Sequence, residues 1–123
     1  MRERRGSALL VAHFKSGERR VIAQHVYVAR GIRDTSRGLL GIEAFPLPDL
    51  DALALIPCPQ VHTRHMAFPI DVLMLAPSGR VLRRFGAVPP GKSLRFVVGA
   101  TWAAELPAGT TADIPLRLEL MPQ

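Results

Sequence analysis

The sequence predicts a mainly β fold of the β-rich α+β type. We expect a small antiparallel sheet or barrel-like domain with one short helix near residues 33–41. Most apolar residues fall into short runs interrupted by Gly and Pro, of which the chain holds 10 and 11. A single segment shows near-helical spacing of its apolar residues. Repeated short runs with one helical segment are typical of antiparallel sheets and small barrels.

The first predicted element is a β-hairpin. Residues 8–14 (ALLVAHF) and 21–28 (VIAQHVYV) are rich in β-forming residues, and KSGERR between them contains a glycine turn signal. The basic start followed by an apolar run resembles a signal peptide. However, the run is short, ends at Lys15 and has no small-residue cleavage site behind it. We therefore expect a strand here and, with no signal peptide or lipid anchor recognised, a cytoplasmic protein.

The helix is predicted because Ile32, Leu39 and Leu40 recur at near-helical spacing. Residues 34–36 (Asp-Thr-Ser) offer N-cap candidates, and the glycine at position 41 can end the helix.

Five later runs are predicted to contribute to the sheet. A turn at residues 77–79 (PSG) makes a hairpin of the second and third. We expect Trp102 to anchor the core and Glu105 to act as a turn or strand-end tether. The runs are AFPLPDLDALALIP (44–57), FPIDVLML (68–75), GRVLRRFG (79–86), LRFVVGATWAAELP (94–107) and DIPLRLEL (113–120).

Length and composition limit the class of protein. A chain of 123 residues without repeats or linkers predicts a single domain over 1–123. The lone cysteine excludes an internal disulfide framework and a cysteine-rich zinc site. No segment reaches the roughly 18 apolar residues of a membrane span.

The net charge of +6 resides in the N-terminal third. Residues 1–37 carry nine basic and three acidic side chains, so the remainder is neutral. An Arg-rich third could bind nucleic acid or an anionic surface, and this is one alternative function. The 14 Arg against 2 Lys are also what a GC-rich genome produces. With no Walker loop, dinucleotide fingerprint or aromatic-interleaved basic sheet, we expect neither nucleic acid nor a cofactor as a partner.

Four ordered blocks make the chain similar to the domain-of-unknown-function 192 family, and to its branch with a Pro-Cys…Val-His-Thr…Met…Phe-Pro-Ile-Asp-Val core. The blocks are RGLLG (37–41), ALALIPCPQVHTRHMAFPIDVLML (52–75), SGRVLR (78–83) and AAELPAGT (103–110). The resemblance covers roughly residues 21–112. It implies a small, mostly β bacterial domain without an established activity. Pilus and secretion genes near some members imply an envelope, pilus or secretion context.

The stretch PCPQVHTRHMAFPIDV (57–72) holds the candidate functional residues. A metal site would need three or four converging ligands. His62 and His65 are three residues apart, but the branch usually has Gly in place of His65. On a strand from residue 70, Asp71 would face the side opposite Ile70. We expect no bound metal.

Nucleophilic catalysis is the second interpretation of this stretch. Cys58 paired with His62, with Asp71 as a third member, would make a hydrolase-like enzyme if the thiol were activated. However, Cys58 lies between two prolines at the end of an apolar run, where a lone cysteine behaves as a small hydrophobe. No glycine-rich nucleophile turn accompanies it. The enzyme remains an alternative.

Two non-catalytic interpretations remain open. In the structural one, His62, Thr63 and Asp71 satisfy backbone groups and each other, since an unpaired buried polar group costs about 1–3 kcal/mol. In the other, a rigid loop around His62–Met66 binds a protein partner or a small ligand. The leading prediction is a non-enzymatic binding domain. Its candidate binding residues are Cys58, His62, Thr63, Arg64, Met66 and Asp71.

Overall fold

A computed structural model describes residues 5–123, without the side chain of Ile32. The charges at Arg2, Glu3 and Arg4 that entered the prediction of a basic N-terminal third lie outside the described residues. The elements in chain order are β1 Ala8–His13, β2 Arg19–Arg30, α1 Gly31–Arg37, β3 Ala52–Ile56, β4 Ile70–Leu75, β5 Val81–Val88, β6 Trp102–Pro107 and β7 Arg117–Pro122. The predicted mainly β fold with one short helix is confirmed.

The strands form one sheet in the order β5-β4-β6-β3-β2-β1-β7. Both predicted hairpins are present, β1–β2 and β4–β5. Every neighbouring pair is antiparallel except β2 and β3, which run parallel. Parallel neighbours need a crossover connection, and α1 lies in the segment that supplies it.

The sheet curls so that its two edge strands meet at one end. The amide of Val81 donates to the Leu116 carbonyl (2.8 Å), and the amide of Leu118 donates to the Gly79 carbonyl (2.9 Å). A Cβ at Gly79 would lie 2.0 Å from the Leu118 carbonyl oxygen, so this approach requires glycine. The result is a half-barrel closed at one end.

The two faces of the sheet bury separate cores. In β4 the side chains alternate, as strand geometry requires: Val72 and Met74 pack in one cluster, Leu73 and Leu75 in the other. The second cluster draws on six strands. The first is covered by α1 and by loops, and we call this side the loop-covered face. The candidate site lies on it.

The predicted caps of the helix are wrong. The helix begins at Gly31, directly after β2, so residues 34–36 lie inside it and do not cap it. Asp34 instead accepts a hydrogen bond from the Tyr27 hydroxyl (2.6 Å), and Gly38 rather than Gly41 follows the last helical residue.

The run 94–107 contributes to the sheet through its second half, since only Trp102–Pro107 of it is a strand. Before β6 the backbone bonds to another loop: the amide of Leu94 donates to the Val61 carbonyl (3.0 Å) and the amide of Cys58 to the Thr101 carbonyl (2.9 Å). Of the described residues, none belongs to a helix long and apolar enough to cross a bilayer.

Candidate ligand-binding cleft

A cleft of about 290 Å³ opens on the loop-covered face, between the end of α1 and the loop after β3. Residues 35–40 form one side and residues 57–62 with Met66 the other, while Leu55 of β3 and Glu105 of β6 come from the sheet beneath. Three of the residues predicted from the sequence, Cys58, His62 and Met66, therefore lie around one cavity.

The helix side is fastened to the sheet by its own polar and apolar contacts. Tyr27 on β2 donates its hydroxyl hydrogen bond to Asp34, and Thr35 donates to the Gly31 carbonyl (2.8 Å) within α1. Leu39, just after the helix, is buried in the loop-covered core. These contacts set the position of the helix end, and with it one wall of the cleft.

The loop side is fastened by Thr63, which is fully buried. Its hydroxyl donates to the Pro89 carbonyl (2.7 Å) and accepts from the Lys92 amide (2.9 Å). Its own amide donates to the Lys92 carbonyl (2.7 Å), and its carbonyl accepts from the Gly91 amide (2.9 Å). Thr63 thus joins two loops and supports the wall from behind.

Glu105 is the acidic side chain of the cleft. It is 3% exposed and lies on a central strand, paired across the sheet with Leu53 and Val72, both fully buried. A Cβ at Gly38 would come 3.6 Å from Glu105 Oε1, which shows how closely the end of α1 approaches this carboxyl group. Glu105 therefore lines the cleft from within β6.

Cys58 is held as a thiol. Burial raises the pKa of Cys58 to about 11, although the backbone contact with Gln60 lowers it and the nearby Glu105 charge raises it further. Its Sγ donates to the Gln60 carbonyl (3.2 Å). At pH 7 only about one thiol in ten thousand is then ionised, and the thiolate is the nucleophile.

His62 supplies no positive charge that would stabilise a Cys58 thiolate. Burial, and then the charges of Arg64 and His65, lower the pKa of His62, so that the imidazole is neutral at pH 7. The third member of the enzyme hypothesis, Asp71, lies elsewhere. The geometry therefore does not bring Cys58, His62 and Asp71 together as the hydrolase-like alternative requires.

Asp71 is a structural acid on the opposite face of β4. Its side chain is fully buried and accepts four hydrogen bonds: from the amides of Ala87 (2.8 Å), Gly109 (3.2 Å) and Thr111 (2.9 Å), and from the Thr111 hydroxyl (2.7 Å). Arg84 lies 3.7 Å away. Burial raises the pKa of Asp71, but these hydrogen bonds lower it more, so the net shift is downward. Asp71 joins β4 to β5 and to the β6–β7 loop.

The other candidates lie on the surface. Arg64 and His65 are exposed, and His65 has a φ of +65°, in the left-handed region that glycine favours. Glycine, which the resemblance implies at this position, adopts this backbone conformation without a steric penalty. Among residues 5–123 no group of three His, Cys, Asp or Glu side chains is placed to hold a metal ion.

The residues that sequence reasoning missed are Glu105 and the end of α1. One signal for the glutamate was present, because it is the sole charged residue in the apolar run ATWAAELP. Nothing in the sequence placed residues 35–40 beside Cys58, since they are joined only through the packing of α1 on the sheet.

Comparison with known proteins gives the family and the fold. No curated protein sequence matches this chain significantly. Two solved structures are similar to it. One is a Sinorhizobium meliloti protein described as a "putative transcription regulator", with a TM-score of 0.77, 19% identity and 98% of each chain covered. The other is a protein of unknown function from Novosphingobium aromaticivorans, with a TM-score of 0.75 and 17% identity over 90% of this chain and 83% of that one. The DUF192 family model, described as "Uncharacterized ACR", matches residues 12–119, so the chain belongs to that family.

Proposed function

We propose that this protein is a non-catalytic binding domain that takes a small ligand, or a single side chain of a protein partner, in the cleft between α1 and residues 57–66. The observation that carries the proposal is the cleft itself. It combines apolar walls with a few polar groups, the arrangement that is usual in ligand sites. Its volume of about 290 Å³ is at the lower end of such sites, which span about 300–1,000 Å³.

Rigid walls support this proposal. Thr63 holds the loop side, and the Tyr27–Asp34 hydrogen bond holds α1. A cavity whose walls are held by contacts outside it loses less conformational entropy when a ligand binds. The protonated Cys58 thiol and the distance of Asp71 from the cleft favour binding over covalent chemistry.

The description of the Sinorhizobium protein as a "putative transcription regulator" raises the regulation of transcription as another function. We do not extend it to this chain, because identity of 19% supports a shared fold alone. Two cations of the N-terminal third already face acids: Arg20 lies 3.0 Å from Glu18 and 3.2 Å from Asp113, and Arg5 lies 3.7 Å from Asp49.

The test is a ligand-observed NMR screen of small metabolites against the full chain and two tryptophan variants. Ser36→Trp places an indole at the edge of the cleft, whereas Lys15→Trp adds the same group in the β1–β2 turn, far from it in the fold. We expect ligands that bind the unaltered chain and Lys15→Trp but not Ser36→Trp. Binding that Ser36→Trp leaves intact would contradict the proposal.

A further inference from the structure

The inner end of the cleft and its outer edge carry side chains of opposite charge. Glu105 lies at the sheet, 3% exposed, whereas Arg37 lines the cleft from the exposed end of α1. A ligand with a cationic and an anionic end would match these two side chains, with the cationic end towards the sheet and the anionic end towards the surface.

The apolar surroundings of Glu105 strengthen its attraction for a cation when the carboxyl group is ionised. The neighbouring strands place Leu53 and Val72 beside it, both fully buried, and Leu55 also lines the cleft. In apolar surroundings a charge interacts more strongly with an opposite charge than it does in water. A carboxylate has about four acceptor positions, so it can bind an ammonium group in addition to neighbours within the protein.

The wall between the two charges is apolar. Leu39, Leu55, Val61 and Met66 line the cleft and are buried in the loop-covered core. Such a wall favours an aliphatic chain, because the removal of each methylene group from water contributes to binding. Gly38, at the end of α1, presents no side chain that would cover Glu105 from above.

We propose that the ligand is a small aliphatic zwitterion, with its ammonium group at Glu105, its methylene chain against Leu55 and Met66, and its carboxylate at Arg37. This inference rests on the proposed function, and it adds the chemical class of the ligand. Ammonium and carboxylate groups at the two ends of a short chain match the order of charges from the sheet to the surface.

Four probes of one chain length test it, by NMR titration of the isotope-labelled full chain: aminovalerate, pentylamine, valerate and pentanol. Aminovalerate carries both charges, and each of the others lacks one or both. We expect aminovalerate to shift the amide signals of residues 35–40 and 58–62 and to bind at least about ten-fold more tightly than valerate or pentanol, a difference of about 1.4 kcal/mol.

Variants assign the two ends of the ligand. Glu105→Gln keeps the shape of the side chain and should remove the preference for an ammonium group, while Arg37→Gln should make aminovalerate bind no better than pentylamine. Glu119→Gln, which changes a half-exposed acid on β7, should alter neither preference. Because the probe series is compared on the unaltered chain, a failure of Glu105→Gln to fold would leave the main comparison in place.

The outcomes separate the two proposals. If pentanol or valerate binds the cleft as tightly as aminovalerate, the inference about the ligand is wrong and the binding cleft stands. The same holds if no probe binds while the metabolite screen finds ligands that Ser36→Trp blocks. If neither experiment shows binding at residues 35–40 and 58–62, both proposals are refuted.

Discussion

Asp71 connects three parts of the fold, and its replacement by alanine should destabilise the protein strongly. The carboxylate is fully buried and accepts two hydrogen bonds from Thr111, which is itself 1% exposed. It also accepts from the amides of Ala87 and Gly109. Alanine removes every one of these acceptors.

The magnitude follows from which donors lose access to water. Ala87 and Gly109 are exposed, so their amides can turn to solvent when the carboxylate is removed. The amide and hydroxyl of Thr111 cannot. Each buried donor left unpaired costs about 1–3 kcal/mol, so the two together predict a loss of about 2–6 kcal/mol. That is a large share of the roughly 5–15 kcal/mol that stabilises a typical domain.

The assay is urea unfolding followed by fluorescence of Trp102, the sole tryptophan. Asp71→Ala should lower the midpoint without changing the slope, and Asp49→Ala, which alters a side chain 56% exposed, should leave both unchanged. In a double-mutant cycle, Asp71→Ala should cost less when it is added to Thr111→Val, because one donor is already gone. An unchanged midpoint for Asp71→Ala would refute the assignment of Asp71 as a structural acid.

Four further predictions concern pH, backbone strain, thiol reactivity and charge. Because the pKa of Asp71 is lower in the folded chain, its stabilising contribution is complete above the unfolded value of about 3.9 and is lost as the pH falls through the folded value. Urea midpoints measured from pH 5 downward should therefore fall less steeply for Asp71→Asn than for the unaltered chain. His65→Gly should raise the free energy of unfolding by about 0.5–1 kcal/mol, because glycine adopts a positive φ without strain. Ala67→Gly, at a position where φ is not positive, should lower it. Equal effects of the two substitutions would exclude backbone strain as the cause. Cys58 should react with iodoacetamide at pH 8 about a hundred-fold more slowly in the folded chain than in urea, given its pKa of about 11, and equal rates would show an accessible thiolate. Duplex DNA and RNA should bind weakly at low salt and dissociate by about 0.2 M; sequence-selective binding that persists there would instead assign a function to the Arg-rich third.

The alternation of apolar residues along the chain was sufficient to predict the class of fold. Short apolar runs separated by Gly and Pro predicted the hairpins β1–β2 and β4–β5, because turn residues act on their immediate neighbours. The same local pattern placed Asp71 on the face of β4 opposite Ile70, which the structure bears out. Local rules did not show that the first half of the run 94–107 would lie outside the strand and bond to a distant loop.

The candidate site shows the same contrast between residues that are close in sequence and contacts that join distant parts of the chain. Cys58, His62 and Met66 are close in sequence, so one loop brings them to one cavity, and the sequence alone singled them out. By contrast, the groups that hydrogen-bond to the side chains of Thr63 and Asp71 lie 16 to 40 residues away. Residue type alone could show that these two side chains need partners, but not which groups supply them.

The sequence by itself determined where apolar residues alternate as in strands, where the chain turns, and which loop holds most of the candidate site residues. Each of these features depends on residues within a few positions of one another. Tertiary structure alone decided that Glu105 would lie in the cleft beside the end of α1, and that Asp71 would not. The physical reason is that the order of strands in a sheet is chosen by the burial of whole faces. That order placed β6 between β3 and β4, and with it a carboxyl group more than forty residues from the nearest cleft-lining cysteine or histidine in the sequence.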